Sequence, residues 1–145
     1  MTLRRSVYIV LLICMFFLLT GCAGLSDWDY GEIPGDYIIV RCNSQHIYLC
    51  KDEGSGGPIL IKETVVAFCY NTKFIGLQRV PTTTFAEFDP EEVYASEAEF
   101  YLVDAETREI YGPLTEEAYN SKLVSLGVSD MGEWITTRTK PDGAN

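Results

Sequence analysis

The stretch ETVVAFCYNTKFIGLQRV, residues 63–80, decides the fold that this sequence predicts. Both halves are rich in β-branched and aromatic residues, and Asn71-Thr72 between them is a turn signal. The pattern predicts an antiparallel hairpin with strands Glu63–Tyr70 and Lys73–Val80. Gly76 inside the second strand indicates a bulge or a close packing partner, because glycine leaves its side-chain position empty.

Similar patterns predict two more hairpins, one on each side of the first. Their strands are Asp36–Cys42 with His46–Lys51, and Glu97–Val103 with Glu109–Tyr111. Asn43-Ser44-Gln45 forms the connection in the first of these. In the second, the side-chain oxygens of Asp104 and Thr107 can cap the turn.

A helix is predicted after the last hairpin. Thr115 is a favourable N-cap, and Glu116 and Glu117 place negative charge at the positive end of the helix dipole. Gly127 supplies the stop. Three apolar residues lie between at helical spacing: Tyr119, Leu123 and Leu126. The predicted fold class is therefore α+β, a mostly antiparallel β meander of about six strands with one C-terminal α-helix packed on the sheet.

The N-terminal segment has the pattern of a secretory signal. Arg4 and Arg5 precede an unbroken apolar run of 13 residues, Val7–Leu19. A short positive region before such a run is typical of a signal peptide. The run is too short to span a membrane, because a spanning helix needs about 20 apolar residues.

A motif at the end of this run predicts a lipid anchor. Leu19-Thr20-Gly21-Cys22 resembles the lipobox of bacterial lipoproteins. The resemblance implies that Leu19, Thr20 and Gly21 are recognised, that the chain is cut before Cys22, and that the Cys22 thiol receives a diacylglyceryl group with palmitate-type chains. A soluble secreted protein cut elsewhere and an uncleaved signal anchor are the alternatives. The expected location is the extracytoplasmic face of the bacterial cell membrane, because two acyl chains anchor a protein stably.

The chain divides into four segments under this interpretation. Residues 1–21 are the signal peptide, 22–35 a tether, 36–128 a single domain, and 129–145 a flexible tail. The 124 residues from Cys22 onward are enough for one domain with its own core.

The mature chain is strongly acidic. The full sequence has 11 basic and 21 acidic side chains, and cleavage removes Arg4 and Arg5 but no acid, which leaves 9 and 21, a net charge of −12. Nucleic acid is not expected as a partner, because its phosphates require clustered Lys and Arg. Adhesion to an anionic leaflet is disfavoured for the same reason. Solubility at the envelope surface accounts for the charge, with a cationic partner as the alternative.

Three cysteines besides Cys22 remain in the mature chain: Cys42, Cys50 and Cys69. A Cys42–Cys50 disulfide would join positions four residues apart along the predicted ladder, which is beyond disulfide reach. All three are interpreted as small buried apolar side chains. His46 is the only histidine, so no metal site is predicted. Cys42 lies opposite His46 if the turn has three residues, and this pair is the one hint of nucleophilic catalysis.

Two groups of residues are candidate partner contacts. Trp28 and Tyr30 precede the first predicted strand and combine an apolar ring with a polar edge, as interface residues do. Packing back onto the sheet is the preferred interpretation for both. The second group is acidic: Glu87, Asp89, Glu91 and Glu92. Its spacing matches no calcium loop, so a solvated acidic loop is the preferred interpretation.

Three further stretches resemble an uncharacterised family of short lipoproteins from Gram-positive bacteria, known as a domain of unknown function. They are DYIIVRCNSQHIYL (36–49), NTKFIGLQR (71–79) and FYLVDAETREIYGPLTEEAYNSKLVSLGV (100–128). The order strand, Asp turn, strand, Tyr-Gly-Pro-Leu, helix is the specific part. The resemblance implies the fold and the anchor, and it implies no catalytic or cofactor-binding residues. The acidic segment 81–96 and the three cysteines depart from the family pattern.

The sequence favours a non-enzymatic role without a cofactor. The leading hypothesis is a lipid-tethered envelope domain that binds a protein, a peptide or a cell-wall component. An immunity-like or inhibitor lipoprotein, whose acidic segment blocks a cationic toxin or enzyme, is the second hypothesis. An envelope hydrolase with paired carboxylates or with Cys42 and His46 is the third. The oligomeric state stays open.

Overall fold

The computed structural model describes residues 28–54, 57–81 and 90–140 of the 145-residue chain. These ranges contain nine β-strands and two α-helices. The strands are β1 Trp28–Ile33, β2 Tyr37–Arg41, β3 Ile47–Lys51, β4 Ile59–Ile61, β5 Val65–Tyr70, β6 Phe74–Arg79, β7 Glu99–Asp104, β8 Ile110–Leu114 and β9 Ile135–Thr136. The helices are α1 Pro90–Ala95 and α2 Glu116–Ser125.

The strands form two antiparallel sheets rather than one meander. The first sheet has the order β1-β2-β3-β4 and the second the order β8-β7-β6-β5-β9. The three predicted hairpins are confirmed as β2–β3, β5–β6 and β7–β8. The α+β class and the dominance of antiparallel pairing are also confirmed, whereas the predicted strand number is too low and the prediction of a single helix is wrong.

Three additional strands and one helix account for the difference. β1 occupies residues assigned to the tether, and β9 occupies residues assigned to the tail. β4 has three residues, and α1 lies inside the acidic segment. Strands of two or three residues carry too little alternation to be recognised in a sequence. They form because a neighbouring strand offers unpaired backbone groups, as β5 does for β9.

The main core lies between the two sheets. Ile39 and Leu49 from the first sheet pack with Phe68, Ile75 and Leu77 from the second, and all five are at most 2% exposed. Side chains alternate across each strand, so the same strands present a second set of residues on the faces that point away from this core.

On the second sheet, the face that points away from the core is covered by the helices. Tyr119 of α2 is 3% exposed and packs with Cys69 and Leu102. Val93 of α1 packs with Val66. The two helices therefore give this sheet a second core layer.

Gly76 marks the closest approach of α2 to the second sheet. A Cβ atom at this position would lie 2.2 Å from Tyr119 Oη and 2.8 Å from Cys69 Sγ. Both distances are too short for a side chain. The prediction that Gly76 has a close packing partner is confirmed.

The predicted ends of α2 are confirmed, whereas its predicted apolar stripe differs at Leu126. Thr115 Oγ1 accepts a hydrogen bond from the Ala118 amide at 3.2 Å, and Gly127 has φ of +69°. Leu126, expected in the buried stripe, is the C-cap residue and is 37% exposed. The helix ends at Ser125, and Val128 packs against the Tyr119 cluster after the chain has turned.

Candidate binding surface

The first sheet carries a row of apolar side chains on the side that points away from the core. Ile38 lies opposite Cys50 and Val40 opposite Tyr48 in the pairing of β2 with β3, and Ile59 of β4 lies opposite Cys50. These positions alternate with the core residues of the same strands. We call the set Ile38, Val40, Tyr48, Cys50 and Ile59 the outer face.

Most of the outer face is accessible. Ile59 is 50% exposed, while Ile38, Val40 and Tyr48 are half-buried and Cys50 is buried. Both helices in the described part of the chain pack on the second sheet. The outer face is therefore the apolar sheet surface that these helices leave open.

Carboxylates flank the outer face. Asp29 of β1 lies opposite Val40, and Asp52 directly follows β3. Burial, and then the charge of Asp52, raises the pKa of the Asp29 carboxyl above its ordinary value of 3.8. This shift means that the two carboxylates lie close enough to repel each other. The outward positions of the described strands β1 to β3 include no Lys or Arg.

Among the cysteines in the described part of the chain, Cys50 and Cys69 are free thiols. Cys50 and Cys69 are buried, as predicted, whereas Cys42 is half-buried, which corrects the expectation for that residue. The physical reason is its position directly after β2, where the chain leaves the sheet for the β2–β3 turn. Burial raises the pKa of the Cys50 thiol, with smaller contributions from Cys42 and Asp29.

Cys42 and His46 lie opposite each other across the three-residue turn, as the sequence predicts. The Cys42 amide donates a hydrogen bond to the His46 carbonyl at 2.9 Å. His46 Nδ1 lies 3.0 Å from Asn43 Oδ1, which also accepts hydrogen bonds from the Gln45 and His46 amides. Nucleophilic catalysis requires a hydrogen bond between the thiol and the imidazole. The hydrolase hypothesis therefore depends on such a bond between Cys42 and His46.

A cleft of about 710 Å³ lies beside the ends of β6, β7 and β8. It contains the carboxylates of Glu97, Glu99 and Glu116 among its lining residues. Glu99 Oε2 accepts a hydrogen bond from Arg79 Nη1 at 3.0 Å. One of the three carboxylates is therefore held by an ion pair, which is a structural role.

Trp28 and Tyr30, predicted as candidate partner contacts, lie in β1. Trp28 is half-buried, and the Arg41 guanidinium carbon lies 4.3 Å from its ring centre. Tyr30 is 5% exposed, and its hydroxyl donates a hydrogen bond to the Thr139 carbonyl at 2.8 Å. The ring of Tyr30 thus packs back onto the sheet and anchors the C-terminal segment.

Two of the four acidic candidates lie in the described residues. Glu91 and Glu92 are exposed in the first turn of α1, and Glu91 forms an ion pair with Arg138. The C-terminal segment therefore contacts both candidate groups, Glu91 through Arg138 and Tyr30 through Thr139. The remaining predicted site residues lie outside the described residues: Leu19, Thr20, Gly21, Cys22, Glu87 and Asp89.

The sequence patterns above do not single out the outer face. A signal is nevertheless present in DYIIVRC, residues 36–42, where four successive positions, Tyr37 to Val40, are apolar. A strand with one solvated face alternates between apolar and polar residues, whereas a strand that is apolar on both faces does not. The absence of alternation in β2 indicates the second apolar face.

No helix in the described ranges is both long and apolar enough to cross a membrane. Within the same ranges, no three side chains among His, Cys, Asp and Glu are grouped so that they could hold a metal ion.

The fold defines a mixed α+β protein built from two packed antiparallel sheets with short helices on one of them. The chain belongs to a family described as a protein of unknown function, DUF3997, whose model matches residues 34–134. This range includes all three stretches quoted for the family resemblance. It excludes all of β1 and all of β9, although both strands pair within the sheets.

Two curated proteins are similar to part of the chain. Human zinc finger MYM-type protein 3 is 35% identical over 54 residues, which is 37% of this chain and 4% of that protein. The mouse protein of the same name matches with the same values. The chain therefore spans a small fraction of the length of these relatives. No solved structure gives a significant match.

Proposed function

We propose that this protein is a bacterial lipoprotein, held by acyl chains on Cys22 at the extracytoplasmic face of the cell membrane, and that its domain is a non-enzymatic binding module. The observation that supports binding is the accessible apolar outer face with carboxylates beside it. The lipobox supports the anchor.

The short distance between anchor and sheet favours a partner at the membrane surface. Trp28, the first residue of β1, is the sixth residue after Cys22. A fully extended chain of that length spans about 20 Å. The domain would therefore stay within roughly its own diameter of the lipid, whatever the partner.

The anchor is tested by the mass and location of the protein expressed in a bacterial host. The wild-type protein should be extracted from membranes with residues 1–21 removed and an acylated Cys22. Cys22→Ala should lose the acyl mass and leave the membrane fraction, while the matched variant Cys42→Ala should behave like wild type. Intact, unacylated wild-type protein in the cytosol would contradict the anchor.

Binding is tested with a photo-crosslinking amino acid placed at position 40 on the outer face or at position 124 on α2. Val124 is 79% exposed, so it is a matched site on a different surface. Light should produce a discrete adduct from position 40 but not from position 124, and excess unlabelled protein should compete it away. Equal or absent adducts at the two positions would count against a binding module.

An inhibitor of a cationic toxin or enzyme is a second candidate, favoured by the exposed glutamates of α1. Deletion of the acidic segment 81–96 is a poor test, because Val93 packs in the α1 cluster. Replacement of Glu87, Asp89 and Glu92 by their amides should instead abolish protection while the thermal unfolding midpoint stays unchanged. Retained protection would remove this candidate.

An envelope hydrolase is the third candidate. Cys42→Ser and His46→Gln should each abolish hydrolysis of envelope substrates if the pair is catalytic. Unchanged activity in both variants would remove the pair from consideration.

A further inference from the structure

We infer that the outer face binds a cationic amphipathic segment of a partner protein, one in which Lys or Arg residues alternate with apolar side chains. This inference rests on the proposed function and names the chemistry of its partner. The apolar side chains would contact Val40, Tyr48 and Ile59, and the cations would contact Asp29 and Asp52.

The size of the outer face fits a segment better than a whole globular surface. Strands lie about 4.8 Å apart and rise about 3.3 Å per residue, so the face measures roughly 15 Å by 15 Å. That is on the order of 200 Å², whereas a standard protein–protein interface buries about 800 Å² on each side. A single extended or helical segment covers an area similar to that of the outer face.

Charge decides between the occupants that could cover an apolar face. An anionic membrane would face Asp29 and Asp52, and the net charge of −12 expected for the mature chain would repel it. A second copy of this chain in a two-fold dimer would place the same carboxylates around the same interface. Only a cationic partner turns the flanking carboxylates into attractive contacts.

The environment of Asp29 agrees with this choice. Asp29 is an exposed residue, but its carboxyl is partly shielded from water. This partial burial, and then the Asp52 charge, raise the pKa of the carboxyl. A cation bound between the two carboxylates would remove their mutual repulsion. The outward side chains of β1 to β3 supply no Lys or Arg for that purpose, and the exposed Lys62 follows β4, at the opposite edge of the sheet from Asp29.

The test uses the full-length processed protein in nanodiscs of zwitterionic lipid and a fluorescent peptide of eight alternating Lys and Leu residues. A matched peptide has Ser in place of each Lys. The Lys-Leu peptide should bind with an affinity that falls as salt screens the carboxylates, and the Ser-Leu peptide should bind at least tenfold more weakly. Equal affinity of the two peptides would overturn the cationic requirement.

Matched variants locate the site. Val40→Lys places a like charge on the outer face and should weaken binding at least tenfold, because like-charge contacts cost several kcal/mol. Val124→Lys makes the same substitution on α2 and should change affinity less than twofold. Asp29→Asn should weaken binding about threefold, as loss of an exposed ion pair does, whereas Glu117→Gln should have no effect.

Each remaining outcome of these experiments either supports or overturns the proposal. If Val40→Lys melts at a lower temperature than wild type, the pair Asp29→Asn and Glu117→Gln carries the decision alone. Equal losses in that pair, or in the two valine variants, would overturn the outer face as the site. Stronger attachment of the wild-type protein to anionic than to zwitterionic vesicles, abolished by Val40→Asp but not by Val124→Asp, would replace the partner by the membrane. A sedimentation dimer abolished by Val40→Lys would replace it by a second copy.

These outcomes are separable from failure of the proposed function. A crosslinked partner at position 40 with an acidic or neutral contact segment would overturn the cationic chemistry and leave the anchored binding module in place. Loss of the acyl group would remove the anchor and leave the peptide assay, repeated in solution, unaffected.

Discussion

At the scale of one residue, Gly76 allows α2 to pack closely on the second sheet. Its missing side chain leaves room for the Tyr119 hydroxyl, which also lies 3.8 Å from Cys69 Sγ. A tyrosine on a helix can therefore reach the surface of the sheet between two strands.

Gly76→Ala should destabilise the protein by about 1–3 kcal/mol, because the new methyl group overlaps the Tyr119 hydroxyl and the Cys69 sulfur. Urea unfolding measures the difference. Gly31→Ala is the matched control, since a Cβ at Gly31 has no atom within 4 Å. It should change the free energy of unfolding by less than about 0.5 kcal/mol. Equal losses in the two variants would contradict the packing argument.

Cys69 gives the protein a pH dependence of known sign. Burial raises the pKa of its thiol from the ordinary 9.0 to about 11. Below pH 9 the thiol is protonated in both the folded and the unfolded chain. As the pH rises above 9, the unfolded chain ionises first, so stability is lost progressively up to about pH 11.

Cys69→Ala should therefore reduce the loss of stability between pH 8.5 and 10.5, measured as the free energy of unfolding in the presence of a reductant. The variant is expected to be less stable than wild type at pH 8.5, because it leaves a small cavity. Only its dependence on pH tests the thiol. Cys42→Ala, at the half-buried position, should retain the wild-type dependence. An unchanged pH slope in Cys69→Ala would contradict the assignment.

At the scale of an element, the β7–β8 turn is held by one side chain, as the sequence predicts. Asp104 Oδ1 accepts hydrogen bonds from the Glu106 and Thr107 amides, both at 2.9 Å. The hydrogen bond from Thr107 is the largest cause that lowers the pKa of Asp104, and Lys73 adds a smaller contribution. The lowered pKa means that the ionised carboxylate stabilises the turn.

Asp104→Ala should lower the free energy of unfolding at pH 7 by about 1–3 kcal/mol, because two amides lose their acceptor. Because the folded-state pKa lies below 3.8, this stabilisation is present above pH 4 and is lost as the pH falls through the lowered value. The difference between variant and wild type should therefore shrink in acid. Glu106→Ala, which removes an exposed partner of Lys73, should cost less than about 1 kcal/mol. A difference that is independent of pH would contradict the charged cap.

At the scale of the whole molecule, residues 135–140 tie the two sheets together. Thr137 is fully buried, its hydroxyl donates to the Val65 carbonyl at 2.7 Å, and its carbonyl accepts from Arg41 Nε at 3.1 Å. Val65 belongs to the second sheet and Arg41 to the first. Tyr94 of α1 also shares a hydrogen bond with the Thr137 hydroxyl at 3.0 Å.

Thr137→Val should lower the free energy of unfolding by about 1–3 kcal/mol, because it leaves the Tyr94 hydroxyl and the Val65 carbonyl without this partner. Thr139→Val is the matched control at an exposed position, where only the backbone carbonyl contacts Tyr30. It should change stability by less than about 0.5 kcal/mol. Thermal unfolding followed by circular dichroism measures both, and a neutral Thr137→Val would show that this hydroxyl does not hold the segment to the second sheet.

The elements that the sequence predicts correctly are those built from near neighbours. The three hairpins, the Asp104 turn and the Thr115 cap each depend on residues within about ten positions of one another, so residue type and spacing report them directly. The candidate site is predicted less well. For Tyr30, a candidate partner contact, the preferred interpretation of packing onto the sheet is confirmed. Its hydroxyl partner Thr139 lies 109 residues away, so the sequence pattern does not predict that contact. The sequence predicts Ile38 and Val40 only as strand residues, because residue type does not show which face of a strand packs against the core.

The sequence by itself thus determined the local strands and turns, the acidic character and the N-terminal motif on which the anchor proposal rests. Only the tertiary structure decided that the strands divide into two sheets and that β1 and β9 complete them. It also decided that the helices in the described part of the chain cover one sheet and leave the outer face of the other open. The reason is physical: a strand fixes the alternation of its side chains locally, but which side is buried depends on the element that packs against it from elsewhere in the chain.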